Sequence, residues 1–244
     1  MEGETPTFSS GAEEFVTPRR RHYRSASRDE QKRATRSRIL ECALQHFSER
    51  GFEAASLRDI AAGSEVTHGV IRLHFGGKEE LWRAAIDMMF ERQRMELDLR
   101  KWHNHDQLTT SDLQILIHDY VRYCARHTEH VRIMMHESLR ESDRVRWLVE
   151  QHVRPTQGPI YALLKRAMEE GILANAPLPS LIYIWTAASQ TIFALAAEAR
   201  HLFNIDVNEP ASIDAHAEAI CAILIRPGAS GSRMRTGQIR LERA

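Results

Sequence analysis

The chain has 244 residues, 43% hydrophobic and 27% charged, which is an ordinary soluble globular composition with room for one large domain or two modest ones. Lys plus Arg and Asp plus Glu both number 33, so net charge carries no hint of nucleic acid and only its distribution informs. Residues 1 to 16 hold four acids and no base, residues 17 to 81 thirteen bases against nine acids, and residues 82 to 244 twenty of each, which concentrates positive charge early in the chain. Cys42, Cys124 and Cys221 are an odd, scattered set and a poor disulfide framework, which favours buried reduced thiols over redox sensing.

Residues 1 to 27 mix Gly, Pro, Ser, Thr and charge without periodicity and read as a disordered arm. Its arginines, Arg19, Arg20, Arg21, Arg24 and Arg28, suit either a solubilising tail or an arm that follows phosphates into the minor groove. No apolar run follows them, so they are not read as a secretion signal and a cytoplasmic location is expected. A first helix is expected from about Ser27 or Thr35, since Ile39, Leu40, Ala43, Leu44 and Phe47 repeat at helical spacing, and Gly51 is a suitable terminator.

Ser56 to Lys78 is the most informative stretch. Ser56 and Asp59 form an S-x-x-[DE] start, with the hydroxyl accepting an orphan N–H and the carboxylate reaching back, for a helix over about 57 to 63. Leu57, Ile60 and Ala61 share its inner face, and Ala61 is small enough for a close crossing. Gly63-Ser64-Glu65-Val66 breaks the period. Thr67 is then an N-cap for a second helix that returns Val70, Ile71 and Phe75 to the core and presents His68, Gly69, Arg72, Leu73 and His74 outward. Two helices crossing at such a turn predict a helix-turn-helix.

From Arg38 to about Trp82 the chain resembles the N-terminal domain of the TetR family of bacterial transcriptional repressors. The resemblance rests on Glu49-Arg50-Gly51-Phe52, Ile60-Ala61, Val66-Thr67, Gly69, His74-Phe75, Lys78-Glu79 and Leu81. It departs from the family at Glu65, where a turn glycine is usual, and at Arg72, where a phosphate-touching tyrosine is usual. A non-glycine residue in a left-handed turn costs about 1–2 kcal/mol. Arginine can bind phosphate and can also reach guanine. Aligned on the motif, Arg58, His68, Gly69, Val70 and Leu73 are expected at base edges, and Ser56, Thr67, Arg72, His74 and Lys78 at phosphates.

After Lys78 a helical strut is expected to about Arg100, then a polar loop over 101–110. Ser111 or Asp112 should cap a helix carrying Leu113, Leu116, Ile117, Tyr120, Val121 and Cys124, and Thr128 another with Val131, Met134, Met135 and Leu139 inward. Ser142 should cap a third through Leu148. Pro155 and Pro159 then interrupt the pattern before Ile160, Leu163, Leu164 and Met168 resume it, as two helices or one kinked helix. Leu181 to Ala197 has no formal charge; it falls short of the about 20 apolar residues of a membrane span and reads as a helix buried on nearly all sides. A last helix is expected over about Ser212 to Ile225 before a polar tail.

The expected fold is therefore all-α: a disordered arm over 1–27, a three-helix DNA-binding domain over 28–80, a helical effector-binding and dimerisation domain over 81–226, and a disordered tail over 227–244. Ala187, Ala188, Ala194, Ile213, Ala217, Ile220 and Leu224 are expected at a four-helix interface of a homodimer, an arrangement the resemblance also implies. Tyr120, Met134, Trp147 and Phe193 are candidates for binding a small apolar effector, and each is equally a good core residue. His103, His105, His127 and His130 lack a third ligand at metal spacing, and Gly76-Gly77-Lys78 is not a phosphate loop. No metal, cofactor, membrane partner or enzymatic activity is expected. The function expected is a ligand-released repressor on palindromic double-stranded DNA, the alternative being an architectural or activating DNA-binding protein without an effector.

Overall fold

The computed structural model describes residues 20–98 and 108–227, with side chains from Arg28 onward. The chain divides into two units, Met1–Arg38 and Ile39–Ala244. In the first, the described residues are helical from Arg20, and Arg28 to Arg38 are exposed apart from the half-buried Thr35. The arm expected over 1–27 is thus helical in its last eight residues, and the rest of it lies outside the described residues. Its arginines and alanine favour a helix by propensity without the apolar stripe that periodicity detects.

The helix α1 spans Arg20–Ala54 and is interrupted at Gly51, whose φ of 71° a side chain would strain. The pair α2 (Leu57–Gly63) and α3 (His68–Phe75) follows, then α4 (Lys78–Glu96). Ile39, Leu40, Ala43, Leu44, Phe47, Ile60, Ile71, Leu81, Trp82, Ala85, Ile86 and Met89 form the first core. This core also takes in Ile133 and Leu148 from much later in the chain.

The remaining helices are α5 (Thr110–Arg126), α6 (Thr128–Ser138), α7 (Asp143–Leu148), α8 (Arg154–Glu169), α9 (Leu178–Ala194), α10 (Ala196–Phe203) and α11 (Pro210–Leu224). The α5 helix is capped two or three residues earlier than expected, by Thr109: its hydroxyl accepts from Asp112 N–H, and the Asp112 carboxylate accepts from Thr109 N–H at 2.8 Å. Most of the loop expected over 101–110 lies outside the described residues. In α6 the inward residues are His130, Val131 and Ile133, whereas Met135 and Leu139, expected inside, are exposed. Ser142 caps α7 as expected, its hydroxyl accepting from Val145 N–H at 3.1 Å.

Between α7 and α8 lies a π-helical turn, Val149–Val153. The backbone stays helical from Asp143 to Glu169 through both prolines: Pro155 comes just after the π-helical turn and Pro159 lies inside α8. The uncharged run starts and ends three residues earlier than expected and turns by 73° at the α9–α10 junction. Among the described residues no single helix is long and apolar enough to cross a membrane. The helices α5, α8, α9 and α11 enclose the second core, which includes Leu113, Leu116, Val121, Tyr123, Leu164, Trp185, Phe193, Ala217 and Ile220.

Candidate nucleic-acid interface

Gly63 and Cys42 meet where α2 crosses α1: a Cβ on Gly63 would stand 2.7 Å from the Cys42 sulfur, so any larger residue would push that sulfur aside. Burial raises the Cys42 thiol above its ordinary pKa and keeps it neutral in that contact. Ser56 caps α2 as expected, its Oγ accepting from the N–H groups of Arg58 and Asp59 at 3.2 and 3.4 Å. The Asp59 carboxylate does not reach back to Ser56. It accepts from Arg50 at 2.6 Å, tying α1 to α2 across the surface.

The turn closes on Ser64, which is fully buried and whose hydroxyl donates to the Ile60 carbonyl at 2.5 Å. Glu65 N–H donates to Ala62 O at 3.1 Å and Val66 N–H to Ala61 O at 3.0 Å. Glu65 takes φ 53°, so the turn keeps the left-handed shape even without the glycine. Thr67 occupies the N-cap position of α3, but its side chain makes no capping bond. Ile71 and Phe75 anchor the helix in the first core.

These contacts turn one surface outward. Arg58, Thr67, His68, Gly69, Arg72 and Leu73 are exposed, Leu73 by 84%, and Ser56, His74 and Lys78 are half-buried around them. Arg58 and Arg72 enter no ion pair among the described residues, whereas the neighbouring acids Asp59 and Glu53 are each held by an arginine. Val70, expected at a base edge, instead packs half-buried against the first core, because it lies one helical position off the outward face. Lys78 is anchored: its ammonium donates to the Glu53 carbonyl at 3.0 Å and lies 4.8 Å from the centre of the Phe52 ring.

A junction that sequence reasoning missed lies behind this surface. Arg144, at the start of α7, stacks 3.9 Å from the centre of Phe52 on the face of a ring that also borders Lys78. Its guanidinium bonds Glu53 and the buried Glu137, both at 3.1 Å. A second link is Arg92 of α4, which bridges Glu41 of α1 and Glu129 of α6. His127 joins it, with its pKa raised by the hydrogen bond to Glu129 against partial burial and with help from Glu96. Arg144 and Glu53 lie 91 residues apart and Arg92 and Glu41 51 apart, so no local pattern announces these pairs.

The four effector candidates do not form one site. Tyr120 and Phe193 belong to the second core, while Met134 and Trp147 pack against the first, Trp147 beside Trp82 at 5.5 Å. Dimer expectations divide likewise. Ala217 and Ile220 are buried within their own chain and cannot face a partner; Ala188, Ile213 and Leu224 pack partly against the second core, Ala194 is half-buried and Ala187 is exposed. The exposed apolar faces of α9 and α11 are instead led by Tyr183 and Ile184 and by Ile223, with Ala215, Ala219 and Ala222 alongside.

Two compact helices presenting arginines that are unpaired among the described residues, on a larger helical core, define a helix-turn-helix protein. Sequence comparison agrees: residues 39–85 match the model of bacterial regulatory proteins of the tetR family, and residues 110–224 match the Tetracyclin repressor-like C-terminal domain. The chain belongs to the TetR family of DNA-binding transcriptional regulators.

It is 23% identical over 149 residues to the probable HTH-type transcriptional regulator YttP of Bacillus subtilis, covering 61% of this chain and 72% of that one. With the HTH-type transcriptional repressor Rv3405c of Mycobacterium tuberculosis it shares 51% identity over 49 residues, 20% of this chain and 26% of that repressor, so this likeness is confined to a short segment. The crystal structure of AibR in complex with isovaleryl coenzyme A and operator DNA has the same fold, with a TM-score of 0.63 at 16% identity over 78% of this chain and 97% of that one.

Proposed function

We propose that this chain is a repressor that binds a palindromic operator as a homodimer and leaves it when a small apolar effector enters its core. The observation that carries the reading is the pair Arg58 and Arg72, exposed and unpaired among the described residues on helices packed around Gly63, Cys42 and Ser64. Arg58, His68, Gly69 and Leu73 face base edges, with Leu73 suited to a thymine methyl; Ser56, Thr67, Arg72, His74 and Lys78 face phosphates. Val70 supports the helix from behind.

A two-fold dimer reads two half-sites when its α3 helices lie about 34–36 Å apart or a multiple of that. The exposed apolar faces of α9 and α11 supply the self-complementary surface. The Arg92 and Arg144 links give the core two grips on the reading head, so an effector that shifts α4 or the α6–α7 corner changes half-site spacing. The solved neighbour AibR held both isovaleryl coenzyme A and operator DNA, which supports a ligand-responsive core. The protein acts in the cytoplasm by binding, without catalysis.

The test begins by selecting duplexes from a random pool with the purified protein. Arg58→Ala should then cost roughly 1–3 kcal/mol for the selected operator alone, and Lys78→Ala should weaken all DNA about equally and lower the salt slope by about 1. Equal losses on every sequence from Arg58→Ala would remove Arg58 from base reading, and failure to enrich any duplex would end the reading as a whole.

A further inference from the structure

Two enclosed polar groups on α9 have no hydrogen-bond partner among the described residues: the indole N–H of Trp185 and the hydroxyl of Ser189. Trp185 is 7% exposed and Ser189 0%. Buried donors are almost always satisfied, because leaving one unpaired forfeits its hydration with no return. A helical hydroxyl has an easy partner in the carbonyl one turn back, and this chain uses it elsewhere: Thr186 donates to Ile182 O at 2.9 Å, Thr156 to His152 O at 2.9 Å and Ser64 to Ile60 O at 2.5 Å. Ser189 makes no such bond. Positions 185 and 189 are one turn apart, so both side chains leave α9 on the same buried face.

The chemistry of this place is narrow. Leu181 and Phe193 continue the stripe one turn either way, and the Tyr120 ring meets Trp185 edge-on at 5.9 Å. Among the described residues the one buried Lys, Arg, Asp or Glu is Glu137, which is paired with Arg144 beside the first core. The Nε2 atom of the nearby His216 is engaged by the Ala188 carbonyl at 2.8 Å. An indole N–H only donates and a hydroxyl can donate, so what both groups can bind is an acceptor. A carboxylate would be an unpaired ion in apolar surroundings, and a plain hydrocarbon would leave both donors unsatisfied. A neutral carbonyl oxygen, with two lone pairs and an apolar body, meets every condition.

We propose that Trp185 and Ser189 are the polar end of an effector site for a neutral, largely apolar molecule carrying a carbonyl group, with Tyr120 and Phe193 beside it. The inference rests on the effector-released reading above and names the ligand class for it. Desolvation pushes the Tyr120 phenol well above its ordinary pKa, so this neighbour adds no charge.

The test uses the full chain and three families of probes titrated by calorimetry: methyl ketones from 2-hexanone to 2-dodecanone, 1-alkenes in which C=CH2 replaces C=O (2-methyl-1-octene for 2-octanone), and the matching carboxylates. The best ketone should bind about tenfold or more tightly than its alkene and its carboxylate, since up to two hydrogen bonds distinguish them. Ser189→Ala and Trp185→Phe should each weaken the ketone about three- to tenfold and leave the alkene unchanged. Ser189→Ala should unfold no more easily than the parent, because it removes an unsatisfied group. Equal binding of ketone and alkene, indifference of the ketone to both substitutions, or no ketone binding below millimolar overturns the site.

Operator release is read separately. A ketone that binds with the expected pattern but leaves the operator bound would keep the site and overturn gating. An effector that releases operator yet ignores both substitutions would keep gating and overturn the site.

Discussion

Removing Arg144 tests how the core holds the reading head. The Glu137 side chain is 5% exposed and that of Arg144 21% exposed, with 3.1 Å between their charged atoms, so Arg144→Ala strands a carboxylate inside the protein. Breaking such a pair costs roughly 3–5 kcal/mol, and the partial exposure of Arg144 puts this case near the lower end. Loss of the stacking on Phe52 adds about 0.5–1 kcal/mol. The Glu53 arm adds less than about 1 kcal/mol because that carboxylate is 78% exposed.

Arg144→Ala should therefore destabilise by about 3.5–5 kcal/mol, and Glu53→Ala by under about 1 kcal/mol. Adding Glu137→Gln to Arg144→Ala should return about 2 kcal/mol, since a neutral amide is far less costly to bury than an unpaired ion. Urea unfolding followed by circular dichroism, at one protein concentration throughout, gives these differences. Operator affinity should fall with Arg144→Ala even under conditions where the protein stays folded, because Lys78 is anchored on the same Phe52-Glu53 turn. If Glu53→Ala proved as costly as Arg144→Ala, or Glu137→Gln rescued nothing, the buried pair would not be the source of the effect.

At Glu65, φ 53° sets Gly against Ala: Glu65→Gly should be more stable than Glu65→Ala by about 1 kcal/mol, the left-handed strain relieved less the chain entropy of glycine. Both should bind DNA more tightly than the parent to a similar degree, and equal stability of the two would place Glu65 outside the left-handed region. Ile223→Glu should yield folded monomers in sedimentation, whereas Ala217→Glu should unfold the chain, because Ala217 is fully buried within it. Folded dimers from Ile223→Glu would remove the α11 face from the interface. Desolvation depresses the His130 pKa to about 4, below its unfolded value of about 6.5, so its contribution is present above about pH 6.5 and is lost as pH falls towards 4. A stability profile of His130→Gln between pH 4 and 7 should be flatter than that of the parent by at most about 3 kcal/mol, and an unchanged profile would exclude His130 as the titrating group.

The reading head was recoverable from sequence because its signals are local. Ser56 accepts the N–H groups of Arg58 and Asp59, two and three residues on, and the apolar stripe of α1 and the turn at 63–66 need no distant partner to be recognised. The same holds for the Ser142 cap and for the all-helical class. Elsewhere the deciding contacts are remote. The uncharged α9 helix carries no polar stripe, so its composition could not say that Tyr183 faces outward while Trp185 and Ser189 face in; packing against α5 and α11 selects the face. Ala217 and Ile220 fit an interface by residue type, yet they fill their own core, and Ile223, of the same character, is the residue left outside. Trp147 and Met134 share apolar chemistry with Tyr120 and Phe193, but the π-helical turn and α7 fold back onto the first core and separate the two pairs. Arg144 reaches Glu53 across 91 residues, and a charge pair of that span exists only once the backbone has closed the loop between them.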